Sequence, residues 1–165
     1  MKISQTPRLR ARDAVATVLI DLLHVPTVYF DAPWPNSRSR VDLLVIDRAG
    51  AGDVHAVEIV KDLEEGRRHL ATLMKLPAQF RWISYIVDPS DLNQDLAEYG
   101  RVHRTPLFAP KGMGRVGVIL VRVDEDRHGE HLSAEIAARA ERFPGSYYED
   151  ADRFAKTHKP DILFR

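Results

Sequence analysis

The sequence predicts an α/β (α+β) protein, a central mixed sheet flanked by helices, and three observations carry that prediction. Helical and strand periodicities alternate along the chain instead of separating into halves. Two β-branched runs, Arg40–Asp47 and Val54–Lys61, are joined by Ala49-Gly-Ala-Gly-Asp53 and read as a hairpin. Two further runs, Trp82–Val87 and Val116–Val123, have few polar residues, as strands covered on both faces do.

Taken in order, Arg10–His24 places Ala11, Ala14, Val15, Val18, Leu19, Leu22 and Leu23 at helical spacing, and Pro26 ends it. Thr27–Asp31 is a short strand stopped by Pro33-Trp34-Pro35, and Asn36–Ser39 is a loop. After the hairpin, Asp62 or a neighbour opens a helix through Leu63, Leu70, Leu73 and Met74 that Pro77 closes. A short helix is expected from about Asp91 to Tyr99, then an irregular stretch over 102–114. Asp124–Gly129 is a polar turn, Ser133–Arg142 is expected to be helical, and Tyr147–Lys156 is a last helix.

Length fits one domain over 1–165, with a core over about 10–123 and a C-terminal helical extension over about 130–165. The chain has no cysteine, which excludes disulfides and thiolate zinc sites. Its N-terminus is polar and basic without a following apolar run, so no secretory signal is expected, and no stretch is long enough to span a bilayer. A cytoplasmic location with no membrane partner is the expectation. With 24 basic and 24 acidic residues, net charge gives no general pull toward nucleic acid, so any such contact needs a local basic surface. A phosphate-binding glycine loop, a dinucleotide fingerprint and a Gly-x-Ser-x-Gly elbow are all missing from the sequence.

The chemistry-bearing residues lie in the hairpin. By alternation Asp42 shares a face with Leu44 and Ile46, and Glu58 shares one with Val54, Ala56 and Val60. An acid on an apolar face is costly unless it is paired or metal-bound. Two of them on neighbouring strands make a candidate site for Mg²⁺ or Mn²⁺, which need few carboxylates because they keep several waters. The structural alternatives are ordinary ion pairs: Asp42 with Arg38 or Arg40, Glu58 with Lys61 or Arg67, and Lys61 as a solvated strand end.

The order helix, three strands, helix, strand, with Asp42 on the second strand and a Glu58…Lys61 pair on the third, resembles the PD-(D/E)xK nuclease superfamily, the restriction-endonuclease-like proteins. The resemblance covers about Arg10 to Val123. It implies an α-β-β-β-α-β core and a metal-dependent nuclease acting on DNA more than RNA. Asp42 and Glu58 would bind metal, and Lys61 would orient water or neutralise charge on the phosphate. Two residues stand between Glu58 and Lys61 where the family pattern has one, and Val41 stands where it has proline. Strict pleating puts Val60 beside the acids, so an active site of this design requires a bulge or bend between Ile59 and Lys61. Without one, the resemblance implies a non-catalytic nucleic-acid-binding or protein-interaction subunit that keeps the fold. A homodimer or a protein partner is compatible with either.

Arg38, Arg40, Arg67 and Arg68 are the expected phosphate-contacting set, with Arg8, Arg10, Arg12 and Arg81 as further basic residues. His128-Gly-Glu-His131 reads as a histidine-containing turn, and His55, His69 and His103 as scattered histidines. Tyr147 and Tyr148 form a candidate stacking pair for bases.

Overall fold

The computed structural model describes residues 7–33, 40–49, 52–87, 101–105, 108–144 and 148–163. Helix α1 (Pro7–Leu22) leads into strands β1 (Pro26–Pro33), β2 (Arg40–Asp47) and β3 (Asp53–Val60). Helix α2 (Leu63–Lys75) and strand β4 (Phe80–Val87) follow. Strands β5 (Gly117–Asp126) and β6 (Gly129–Ala138), helix α3 (Tyr148–Thr157) and strand β7 (Ile162–Leu163) complete the described elements. They form one sheet in the order β6-β5-β4-β3-β2-β1-β7. β1, β2 and β3 pair antiparallel, β3, β4 and β5 pair parallel, and β6 returns antiparallel on β5. The sheet is therefore mixed and helix-flanked, and its first elements follow the expected α-β-β-β-α-β order.

Each face of the sheet is buried under helices, which is why so few strand positions are polar. On one face α1 lays Ala11, Val15, Ala16 and Leu19 against Val28, Leu43, Val45, Val57, Ile59 and Trp82. On the other, Leu70 and Leu73 of α2 and Phe154 of α3 pack with Leu44, Ile46, Val60, Ile83 and Tyr85. Phe154 meets the Tyr29 ring edge-on at 4.8 Å.

Local chemistry fixes the start of α2. Asp62 is its N-cap, and its Oδ1 accepts from the Glu65 amide at 2.8 Å. Glu65 reaches back, its Oε2 accepting from the Lys61 amide at 2.8 Å. Two amides that the helix leaves without a partner are thus satisfied reciprocally, a capping box displaced by one residue.

Two expectations fail here. Ser133–Arg142 is not a helix: most of it lies in β6 and the chain beyond. Its alanines and glutamate favour helix intrinsically. However, Leu132, Ala134 and Ile136 also alternate, and all three pack on the α1-side core, so tertiary burial overrides propensity. Alternation along β2 also breaks. Val41 and Leu44 lie in the same core cluster although three apart, as do Ala32 and Tyr29 on the paired strand. Asp31, between the latter two, has a left-handed φ of 46°, which re-phases the pleat. Asp42 lies in this irregular stretch, so its face does not follow from Leu44 and Ile46.

The short helix expected before Tyr99, together with Trp34, Arg38 and the side chains of Arg8, Tyr147 and Tyr148, lies outside what the structure describes.

Candidate active site

The β2–β3 register runs from Asp47↔Asp53 to Leu43↔Val57, and continuing it by one residue places Asp42 across from Glu58. The hairpin thus brings the two carboxylate residues to one place near the carboxyl end of β3. Asp42 Oδ2 accepts from the Ile59 amide at 2.7 Å, a donor a backbone carbonyl takes in a regular ladder. Asp42 is half-buried, whereas Glu58 is 3 % exposed.

Glu58 lies on the α2 side of the sheet. Its Oε2 stands 3.1 Å from His69 Nδ1, and the other ring nitrogen, Nε2, stands 3.6 Å from Glu65 Oε1. His69 therefore lies between two carboxylates, held by one turn of α2. Sequence reasoning left His69 among scattered histidines and gave Glu65 no role. The signal available was their i,i+4 spacing on the helix that follows the glutamate strand. His69 is thus a partner of Glu58 that the sequence reading, with its lysine or arginine alternative, did not name.

Lys61 stands at the bend between β3 and α2. Ile59↔Ser84 and Val60↔Tyr85 continue the β3–β4 register without a shift, so no bulge precedes it. Val60 is buried in the same cluster as Val54 and Ala56, as regular pleating requires. Lys61 is exposed just beyond the strand end, with its amide bound to Glu65. Of the basic set, Arg67 and Arg68 are exposed on α2 and make no ion pair among the described residues. Arg40 is tied to Asp31, its Nε 3.0 Å from Oδ1. Arg81 is buried: it donates to the Leu76 carbonyl at 3.0 Å and lies over the Phe143 ring. It is no surface contact.

Paired carboxylate oxygens suit a hard cation, and Mg²⁺ takes one or two carboxylates while waters complete its octahedron. Asp42 and Glu58 supply two carboxylates of that chemical type on adjacent strands. Among the described residues no three His, Asp or Glu side chains gather into a larger cage, so the pair does not suit a metal that needs three or four protein ligands.

A second polar cluster lies toward the amino end of β3. The Asp47 carboxylate accepts from the amides of Val25 (3.0 Å), Ala49 (3.1 Å) and His24 (3.4 Å). Burial opposes its ionisation, but those amides outweigh burial and hold the carboxyl below its ordinary value. Buried His55 accepts from Trp82 Nε1 at 3.2 Å and stacks on Phe80 at 4.5 Å. Desolvation pushes its pKa down to about 4 against the partial opposition of Asp47, so it is neutral near pH 7. Buried His103, 2.7 Å from the Tyr85 hydroxyl, is likewise pushed down to about 4 by burial.

The fold is similar to that of a solved protein of unknown function from Silicibacter pomeroyi. The two share 13 % identity and a TM-score of 0.58, over 94 % of this chain and 88 % of that one. No family model matches the chain, and no curated protein matches it. Among the described residues no helix is long and apolar enough to cross a membrane.

Proposed function

We propose that this chain is a metal-dependent nuclease that hydrolyses phosphodiester bonds, DNA in preference to RNA, at a site centred on Asp42 and Glu58. The observation that carries the reading is the hairpin: its register reaches Leu43↔Val57, next to both acids, and the Asp42 carboxylate accepts from the amide of the residue after Glu58. The resemblance to restriction-endonuclease-like proteins supports it and is the source of the DNA preference.

Asp42 and Glu58 would hold Mg²⁺ or Mn²⁺, which when bound polarises the phosphate and activates a water. His69 fixes Glu58 by holding Oε2, so the carboxylate need not order itself when substrate arrives. Arg67 and Arg68 on the exposed side of α2 supply positive charge for phosphate oxygens, with Arg40 on the strand of the other acid. Lys61 adds charge from the rim.

The position of Lys61 favours a second reading. Regular pleating leaves Val60 on the Glu58 face, and valine cannot donate to water or phosphate. On that reading the protein binds nucleic acid or a protein partner and does not cut. Cleavage of single- and double-stranded DNA and of RNA, with Mg²⁺ and with Mn²⁺, separates the readings. Calorimetric titration of either metal without substrate provides a measure independent of activity. Cleavage by the wild type, lost in Asp42→Asn and Glu58→Gln, supports the nuclease. An inert wild type that still binds DNA supports the second reading.

A further inference from the structure

We infer that a cleft distinct from the carboxylate pair binds a phosphate monoester. The cleft has a volume of about 470 Å³ and is lined by His103, Arg104, Arg115, Ala138, Arg139 and Glu141. Three arginines and one glutamate thus share the lining. It lies where the chain enters β5 and leaves β6, whereas Glu58 lies toward the carboxyl end of β3.

The backbone here is tightly fitted, which places the arginines with little freedom. The Glu141 amide donates to the Arg115 carbonyl at 3.0 Å, and the Val116 amide to the Phe108 carbonyl at 2.9 Å. A Cβ on Gly114 would lie 2.4 Å from the Glu141 carbonyl oxygen, and one on Gly117 would lie 2.6 Å from the Ala140 amide nitrogen. The segments entering β5 and leaving β6 therefore touch backbone to backbone, and Arg115 on one and Arg139 on the other both line the cleft.

Two of its arginines, Arg115 and Arg139, are loosely held. Arg115 meets Glu141 only through Nη2, at 3.5 Å, while its Nε–H is buried with no acceptor among the described residues. Arg139 is exposed and has no ion pair or hydrogen bond among the described residues. Buried His103 forms a neutral wall. An anion entering the cleft would offer acceptors to the exposed Arg139 guanidinium and to the terminal nitrogens of Arg115, whose side chain is partly exposed. Planar guanidinium forks match phosphate oxygens bidentately. A concave site with converging donors suits a terminal phosphate better than a continuous strand, which follows an open groove. The ligand is therefore a phosphate with one organic arm, either a free nucleotide or the 5′-phosphorylated end of a strand.

The test uses the full chain and three probes: dAMP, a short oligonucleotide with a 5′-phosphate, and the same oligonucleotide with a 5′-hydroxyl. Calorimetry should give saturable binding of at least one phosphate monoester, with deoxyadenosine or the 5′-hydroxyl strand much weaker. Arg139→Gln and Arg115→Gln should each weaken it about tenfold or more. In protein labelled with ¹⁵N-arginine, the Arg115 Nε–H resonance should move on titration; that readout needs no substitution and stands even if Arg115→Gln unfolds. Binding of dAMP alone identifies a free nucleotide, and binding of the 5′-phosphate strand alone identifies a strand end. If phosphate confers no advantage over hydroxyl, or Arg139→Gln binds like wild type, the inference is wrong. Neither result depends on whether Asp42 and Glu58 support cleavage.

Discussion

The two ends of β3 both bury polar side chains, and they do so differently. Toward the amino end, the Asp47 carboxylate takes up three amides, and the His55 ring accepts from Trp82 between aromatic neighbours. These groups close the turn between α1 and β1 and the end of β2. Toward the carboxyl end, Glu58 is held by a histidine whose side chain is 31 % exposed, and Asp42 takes one amide where the backbone ladder stops. At Asp47 three backbone amides are fixed partners and make the carboxylate structural, whereas Asp42 accepts from the Ile59 amide and Glu58 meets a side chain. The identity of the partner, more than burial itself, separates the two ends.

Asp42→Asn and Glu58→Gln break this comparison most sharply. At the carboxyl end each should lower cleavage by at least about a hundredfold, on the scale of losing a metal ligand's support, while thermal unfolding shifts little. Equal cleavage by both variants would remove the site. At the amino end, Asp47→Asn should leave cleavage intact.

The next effect is on stability against acid. His55 and His103 have folded pKa values of about 4, below the ordinary 6.5, so the unfolded chain binds more protons between those values. Stability is then fully present above about pH 6.5 and falls as pH drops toward 4, by an amount on the order of a few kcal/mol in all. Urea unfolding across that range checks it. A flat profile contradicts burial of neutral rings, and His55→Gln should reduce the slope.

Asp47→Ala strips acceptors from buried amides and should cost about 2–3 kcal/mol in the same assay. Because its folded pKa is lowered, the Asp47 contribution is present above about pH 4 and is lost as pH falls through the folded value. Asp47→Asn should lack that acid-range component.

Lys61→Ala should produce the smallest change, about tenfold or less in cleavage, since the side chain is exposed beyond a regular strand. A loss as large as that of Glu58→Gln would mean that the strand end rearranges on binding substrate.

Much of this was legible in the sequence because it is local. Periodicity located α1, α2 and the strands through β5, Asp62 and Pro77 bracketed α2, and the glycine turn set the hairpin that brings Asp42 opposite Glu58. Tertiary structure decided what depends on distant partners. Burial beneath α1 turned an alanine-rich segment into β6. The left-handed Asp31 re-phased the strand beside Asp42. The parallel pairing of β3 with β4 kept Val60 inward and left Lys61 outside. Packing of α2 on the sheet gave Glu58 its histidine. Sequence spacing reports which face a residue takes within one element; only the approach of another element fixes what that face meets.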